Sequence, residues 1–373
     1  MVPLVFWYLI QMILAMRWRW SFATIETEKL IKAHGKHIAS TEGLPIQEQR
    51  DLVLKLSRRY CIHPFSIYQF RLYRDPNGAL DYIFPHEAVQ LHRLKNGPIR
   101  TPDHSALQDK LEFSTRAKKV GLPSVDTVHL LEQHQNVNPF ELEIADQEAV
   151  FLKTRTGYRG KGAFSLHKRE DQLIGYKLED GKTLAAPGQI KAALDNMLSS
   201  DDVIVQPLLK NHSVFEKISP PNQAVILRVV TLRNSDQASI CSAYLRVPVN
   251  QQLDVTEFPS ARKSEVLAKV DIATGEISRN PSSSLNLDPK MSKTEDWLFS
   301  ILGGTEIVPF WEEISRGSLI GQREFSSLWG IGWDWMITQK QPYLLEGNVF
   351  WGVQKLQEVS GGLVSSILWP GRK

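Results

Sequence analysis

Gly332-Trp-Asp334, followed after a polar turn by Leu344-Leu-Glu346-Gly-Asn348, constrains this chain more than any other feature. Ile331 to Thr338 is a short apolar run rich in β-forming residues, and Tyr343 to Leu345 is another. Between them Gln339-Lys-Gln-Pro342 is polar and carries a proline, so the pattern predicts a hairpin. Glu346 and Asn348 stand two apart on an extended strand and point to one side, where Asp334 of the partner strand can join them. Two carboxylates and an amide converging in this way suit a Mg²⁺ ion that keeps part of its water and takes the rest of its shell from phosphates. An ordinary exposed hairpin with scattered charges satisfies the same spacing, so the decision falls to the rest of the chain.

With 373 residues there is room for two domains and a small third part. Hydrophobic residues at 42% and charged residues at 23% provide for a sizeable core. A net charge of +3 without a long basic run argues against nucleic acid as a partner. Cys61 and Cys241 lack metal-ligand spacing, which predicts reduced, buried thiols of a cytosolic protein and not a disulfide. Met1 to Met16 is apolar apart from Gln11, and Arg17-Trp-Arg-Trp20 follows. A secretory signal has its charge before the apolar stretch, whereas here the charge comes after. As a helix the stretch reaches about 24 Å, short of the ~30 Å hydrocarbon core. Three readings stay open: a span whose arginines hold the body inside, a peripheral helix with Trp18 and Trp20 at the interface, or a start of translation at Met12 or Met16. Each leaves the body cytoplasmic, with membrane contact, where there is any, through residues 1–20 on the inner face.

Helical periodicity runs through Ile25–Ala39 and Ile46–Arg59, with shorter helices predicted over Phe65–Tyr73 and Glu87–Leu94. Ser105–Val120 reads as one helix stopped by Gly121-Leu-Pro123. Strands are expected at Ala149–Lys153, Val203–Val205, Ala224–Leu232 and Ala238–Val247, with a hairpin around Asp271–Gly275. Ser292-Lys-Thr-Glu295 fits a capping box opening a helix to about Leu302, and Ile307–Ile314 suggests another helix.

Further segments carry chemistry. Val150-Phe-Leu-Lys153 delivers a lysine from an apolar strand into Thr-Arg155-Thr-Gly157-Tyr-Arg159-Gly160-Lys161-Gly162. Glycines let backbone amides approach a polyphosphate, and the basic residues neutralise it. The spacing is not that of a Walker A loop, and a flexible hairpin tip has the same composition. Val203-Ile-Val-Gln206-Pro207-Leu208 runs from a buried-looking strand into a loop that can present backbone groups to a nucleobase, or simply be core. In Ile226-Leu-Arg228-Val-Val-Thr-Leu232 a lone arginine sits among apolar neighbours, which is expensive unless a phosphate or a salt-bridge partner meets it.

A lysine strand, a glycine-rich loop, a hinge strand, an arginine strand and an Asp…Glu-x-Asn hairpin, in this order, resemble the ATP-grasp superfamily. The narrower resemblance is to its sugar-transfer-associated group, related to α-L-glutamate ligases, from about Tyr60 to Gly352. It is carried by Val205-Gln-Pro-Leu-Leu209 with His212 downstream, by Leu227-Arg-Val-Val-Thr-Leu232 and by the hairpin. Asp109-Lys110-Leu-Glu-Phe113 leading to Gly121-Leu-Pro123 adds to it. The resemblance implies an α+β chain: an ATP-grasp domain of two α/β subdomains gripping ATP over residues 105–373, an α-rich region over 21–104 and the apolar segment 1–20. It implies that Lys110 and Lys153 contact the nucleotide phosphates, that Gly157, Gly160, Lys161 and Gly162 close over them, and that the backbone of Gln206, Pro207 and Leu208 meets adenine. Arg228, with Lys153, would act on the transferred phosphoryl group, and Asp334, Glu346 and Asn348 would hold Mg²⁺ or Mn²⁺.

The implied activity is an ATP-dependent carboxylate–amine ligase acting on a small molecule or glycan that bears a carboxylate, in sugar or cell-envelope polymer modification. A kinase that stops at phosphoryl transfer, or a catalytically silent ATP-binding scaffold at a membrane complex, are the alternatives. The chain departs from the family pattern at Thr154 and Pro207, and at Val225-Ile226, where the group tends to have Asn-Thr. An asparagine at 225 is expected to reach the metal or a phosphate, and valine cannot. Phe350 and Trp351 stand where smaller residues are common and are expected to narrow the pocket.

Overall fold

Two antiparallel sheets carry the strand-forming segments of the chain, one of six strands and one of five. The computed structural model describes residues 21–97, 101–139, 142, 149–157, 162–169, 172–178, 183–219, 223–234, 237–248, 265–278 and 307–365. The apolar segment 1–20, the predicted helix from Ser292, and Arg159, Gly160 and Lys161 lie outside the described residues. No helix among the described residues is long and apolar enough to cross a membrane.

Helices come first: α1 Ala23–Leu30, α2 Lys36–Glu42, α3 Ile46–Tyr60, α4 Pro64–Gln69 and α5 Pro85–Asn96. The predicted Ile25–Ala39 helix is divided by a π turn at Ile31–Gly35. Leu30, Val53, Leu56, Ile67 and Tyr68 close a core of their own. The helix predicted over Ser105–Val120 is in fact two, α6 Pro102–Gln108 and α7 Lys110–Lys119. Asp109 breaks them with an extended backbone, and its carboxylate caps α7 by accepting from Leu111 N at 3.0 Å and Glu112 N at 3.2 Å.

The six-stranded sheet runs in the order β1 His129–Leu131, β6 Val203–Pro207, β2 Ala149–Thr154, β3 Phe164–Arg169, β4 Gln172–Lys177 and β5 Thr183–Leu184. Helix α8, Pro187–Leu198, packs Ile190, Leu194 and Met197 with Val150, Leu152 and Val205. A short α9, Ser213–Glu216, leads to the five-stranded sheet: β11 Pro342–Asn348, β10 Gly330–Ile337, β7 Ile226–Asn234, β8 Gln237–Pro248 and β9 Glu265–Val270. Free thiols stand at Cys61 and Cys241, half-buried where full burial was expected.

Alternation gives the five-stranded sheet two different faces. Leu227, Val229, Leu245, Trp333 and Trp335 turn to one core, against α7 and α10, Trp311–Glu324. Val230, Tyr244, Leu267 and Trp351 turn to the other, against α5 and α11, Val353–Ser360. Gln357 of α11 ties the helical region on by a buried pair of bonds, accepting from Ile83 N at 2.7 Å and donating to Ile83 O at 2.8 Å. What those helices leave uncovered on this second face is the candidate site.

The sequence predicts a helix over Ile307–Ile314; instead Ile307 bridges Glu276, Phe310 is left-handed (φ 60°), and α10 starts at Trp311. Its length escaped prediction because, after Trp311 and Ile314 in the first turn, its buried face continues as Gly317, Ser318, Gly321 and Gln322, without large apolar side chains. Those small residues make room for indoles: Trp335 Nε1 donates to Ser318 Oγ at 3.0 Å, and a Cβ on Gly317 would stand 2.9 Å from the Trp335 ring. Gly317→Val is therefore expected to lower stability by about 1–3 kcal/mol through overpacking, although glycine is the poorer helix former. Urea unfolding checks this, with the exposed Arg316→Val as the control that leaves the midpoint nearly unmoved.

Candidate functional site

The predicted hairpin is β10–β11, and its register sets Asp334 opposite Glu346 and Gly332 opposite Asn348, with an irregularity between Asp334 and Trp335. Asn348 Nδ2 lies 3.2 Å from Glu346 Oε1 and 3.4 Å from Asp334 Oδ2, so the three side chains converge as the spacing implied. On the other side of β10, β7 sets Arg228 opposite Asp334. Arg228 Nε donates to Asp334 Oδ1 at 2.6 Å and Nη2 to Oδ2 at 2.5 Å, a two-point pair buried to 8% and 4% exposure. Nη1 reaches the carbonyl of Trp351 at 3.5 Å. Gly332 is required here, because a Cβ would stand 2.5 Å from that of Trp351 and 3.6 Å from Arg228 Cδ.

Electrostatics separate the two carboxyls. Burial raises the Asp334 pKa, but the charge and hydrogen bonds of Arg228 outweigh it and hold the group below its ordinary value. Glu346 is pushed up, first by burial and then by the neighbouring Asp334 charge. Burial works against the Arg228 charge, and Asp334 more than offsets it.

The six-stranded sheet and the start of α7 supply the opposing cations. Lys153, on β2 opposite Ile204, makes no hydrogen bond or ion pair among the described residues. Burial lowers its pKa to about 8, with the Glu346 charge as the main opposing influence. Lys110, at the start of α7, donates through Nζ to Gly157 O at 2.6 Å and Arg155 O at 3.3 Å, and burial lowers its pKa against the pull of Glu346. Both lysines thus stand within electrostatic reach of the hairpin. Arg155 is spent on structure, paired with Asp109 at 2.6 Å and Asp202 at 3.2 Å. Gly157 and Gly162 flank the undescribed part of the loop. Gln206 is buried, with Nε2 3.3 Å from Val125 O, and Leu208 N donates to Ala149 O at 3.2 Å. Pro207 has no N–H, so the strand's end presents fewer free donors to a base than the sequence suggested.

Val225 requires a correction. It is 2% exposed and lies in the core with Leu227 and Val229, its N–H bound to Asn211 Oδ1 at 3.0 Å. The position faces away from the carboxylates, so an asparagine there would not reach a metal, and the valine removes nothing from the site. Trp351 is fully buried beneath Gly332 and Phe350 is half-exposed. His212 caps α9, its Nδ1 accepting from Val214 N at 3.3 Å, with its ring edge-on to Phe215 and Phe310.

Among the described residues no three His, Cys, Asp or Glu side chains group as a metal site. Asp334, Glu346 and Asn348 nonetheless fit a Mg²⁺ that draws further ligands from phosphate and water. Burial first, and then the neighbouring Asp334 charge, make the ionised form of Glu346 costly, and a cation beside it would relieve that cost. The sequence reading missed Arg246 of β8, 3.7 Å from Asp334 Oδ2. Its signal was a second lone arginine in a strand already recognised, the same signal that marked Arg228.

Removing one half of the buried pair leaves the other charge unpaired. Asp334→Asn is expected to cost about 3–5 kcal/mol, with Arg228→Met/Asp334→Leu recovering most of it; a double-mutant cycle in urea measures both. Glu346→Gln behaves oppositely. A carboxyl whose folded pKa is raised destabilises the fold once the pH exceeds its ordinary value of 4.5, so the variant gains stability at pH 7. The gain should vanish near pH 4, as unfolding midpoints at the two pH values will show.

A profile of the family described as sugar-transfer associated ATP-grasp matches residues 97–366. No curated protein matches. Among solved structures, the D-alanine–D-alanine ligase from Bacillus anthracis is 12% identical, with 66% of this chain aligned to 57% of that one and a TM-score of 0.38. The VanG D-Ala:D-Ser ligase from Enterococcus faecalis is 12% identical over 70% of this chain and 58% of its own, with a TM-score of 0.41. The ATP-grasp ligase PsnB complexed with a minimal precursor is 14% identical over 70% and 59%, with a TM-score of 0.37. This chain covers less than two thirds of each of these proteins. The profile spans well over half of the sequence, and the chain belongs to the sugar-transfer associated ATP-grasp family.

Proposed function

We propose that the chain is an ATP- and Mg²⁺-dependent ligase that activates a carboxylate as an acylphosphate for attack by an amine, in the modification of a sugar or cell-envelope polymer. The observation that carries this reading is the convergence of Lys110 and Lys153 with Glu346, which brings a lysine from the start of α7 and one from β2 of the six-stranded sheet to the carboxylate–amide hairpin of the other sheet. In this reading Lys110 and Lys153 hold the nucleotide phosphates, and Gly157, Gly160, Lys161 and Gly162 close over them. The backbone of Gln206 to Leu208 meets the base, and Asp334, Glu346 and Asn348 hold the metal. Mg²⁺, when bound, neutralises phosphate charge. Arg228, on the strand next to the hairpin and paired with Asp334, stabilises charge on the phosphoryl group as its bond to ADP breaks and its bond to the substrate carboxylate forms. The amine then attacks the acyl carbon and phosphate leaves. Such chemistry draws on positioning and fixed charge and needs no dedicated nucleophile. The body works in the cytoplasm, with residues 1–20 as its contact with the membrane face.

Mg²⁺-dependent ATP binding and ADP release, with a pool of amino acids and amino sugars present, test the reading. Glu346→Ala is expected to lose either Mg·ATP binding or ADP release by tenfold or more; indifference to this change removes the chemistry from the site. Consumption of the amine along with ATP distinguishes a ligase from a kinase, and binding without turnover identifies a scaffold. Lys153 adds a pH signature. Free, it titrates at about 8; a polyphosphate beside it favours the charged form and raises that value. Nucleotide binding at pH 8 to 9 is therefore expected to take up protons, and Lys153→Met to abolish the uptake. Calorimetry in buffers of different ionisation enthalpy gives the proton count.

A further inference from the structure

Arg246 is a cation on the site's face that no assigned role has used. On β8 it pairs with Ile226, while Tyr244 pairs with Arg228, so period two puts Arg228, Tyr244 and Arg246 on the same side of the sheet. Its Nε donates to Glu265 Oε2 of β9 at 3.1 Å, and the other oxygen of Glu265 pairs with Lys355 of α11. Nη1 stands 3.7 Å from Asp334 Oδ2, an ion-pair distance beyond hydrogen-bond range. The terminal nitrogens thus make no hydrogen bond among the described residues. The hydroxyl of Tyr244, on a fully buried ring, lies in the field of Arg228 and Arg246 and makes no hydrogen bond of ordinary length among the described residues.

The order of the strands says which anion this arginine meets. Lys110 and Lys153 act on Glu346 of β11, at one edge of the sheet. Moving across it, Asp334 lies on β10, Arg228 on β7 and Arg246 on β8. Three strand spacings of ~4.8 Å set β8 about 14 Å from β11. A phosphate held at the lysines is therefore not the group Arg246 reaches first. Its guanidinium reaches from β8 to the Arg228–Asp334 pair and comes to Asp334 from the side turned away from β11. A guanidinium fixed at Nε offers its outer edge of terminal N–H groups, which takes a carboxylate or a phosphate in two-point contact, and with the nucleotide phosphates assigned to the lysines the carboxylate is the anion left for it.

We infer that Arg246 seats the carboxylate of the acceptor substrate next to the phosphoryl position at Arg228, and that Glu265, held by Lys355, is its positioning residue. This rests on the ligase reading above.

Acetyl phosphate, which presents an acyl and a phosphoryl group together, is the probe. It is titrated calorimetrically onto the Mg·ADP complex of the full chain, with inorganic phosphate in parallel and Mg·ADP affinity measured first. Arg246→Met is expected to weaken acetyl phosphate binding tenfold or more, while Mg·ADP and phosphate affinities stay within twofold of wild type. Arg246→Lys should be intermediate, and Glu265→Gln should weaken acetyl phosphate about threefold without touching Mg·ADP. Melting temperatures accompany each variant; should Arg246→Met not fold, the lysine and glutamine variants carry the test. Equal acetyl phosphate affinity in wild type and variants overturns the inference and leaves Arg246 a structural ion pair. A parallel loss of Mg·ADP affinity overturns it by placing Arg246 at the nucleotide. So does a wild type that binds Mg·ADP but not acetyl phosphate. Failure of the wild type to bind Mg·ADP sinks the ligase reading itself, and the inference with it.

Discussion

The buried pair of Arg228 and Asp334 organises the rest of this site. Two charges at 8% and 4% exposure have surrendered most of their hydration, and only a two-point contact at 2.5 and 2.6 Å makes that tolerable. The contact in turn dictates its surroundings. Arg228 and Asp334 must be opposite one another on neighbouring strands, which the β7–β10 register supplies. The strand beside the guanidinium must lack a side chain, which Gly332 supplies, and the third nitrogen must find an acceptor, which the Trp351 carbonyl supplies. Burial raises the pKa of Glu346, and with Arg228 holding Asp334 charged, like-charge repulsion adds to that rise. Neutralised by its arginine, Asp334 adds little net attraction for a free cation. Under the proposed reading the metal is therefore held by these groups and by the nucleotide together, since neither set of ligands suffices alone.

The cations of the site fall into two kinds. Arg155 looks from sequence like a phosphate ligand, but Asp109 and Asp202 occupy it, and in doing so tie the start of α7 to β2 and the turn before β6. Among the described residues Lys153 has no such partner, and half-buried as it is, its ammonium is under-solvated and under-paired. Lys110 donates to the carbonyls of Arg155 and Gly157, so the amine proposed to meet phosphate also fixes the backbone that enters the glycine-rich segment. An anion that arrives between the sheets improves the state of both lysines, and that is a physical reason for it to bind there.

Much of this was legible because the chemistry sits on strands with clear period and composition. Asp334, Glu346 and Asn348 could be placed on one side from spacing alone, and Arg228 declared itself as a charge within an apolar run. Three things were not legible. Asp109 ends one helix and caps the next, yet in sequence it sits inside an unbroken helical pattern. Beyond Trp311 and Ile314, α10 buries glycine, serine and glutamine against indoles, so over its later turns the apolar bulk belongs to the partner strand and not to the helix. Val225 looked like a lost ligand because sequence position was taken for orientation; the strand's alternation sends it to the core. In each case the deciding partner is distant in the chain.

The helical region is not a separate appendage to this chemistry. His92 of α5 lies edge-on to Trp351 and Phe350 at ring distances of 5.1 Å, and burial lowers its pKa to about 4, so it packs as a neutral ring at ordinary pH. Asn96, also on α5, accepts from Trp329 N at 2.7 Å, just ahead of β10. Trp351 is thus clamped from the helical side while it supplies the carbonyl for Arg228 and closes the space over Gly332. A shift of α5 would move Trp351, and Trp351 cannot move without disturbing the arginine on which Asp334 depends. The bulky residue after Glu346-Gly-Asn348 that departs from the family pattern is therefore explained from within this chain. It fills the gap between an N-terminal helix and the site, and so makes the position of Arg228 depend on residues that carry none of the chemistry.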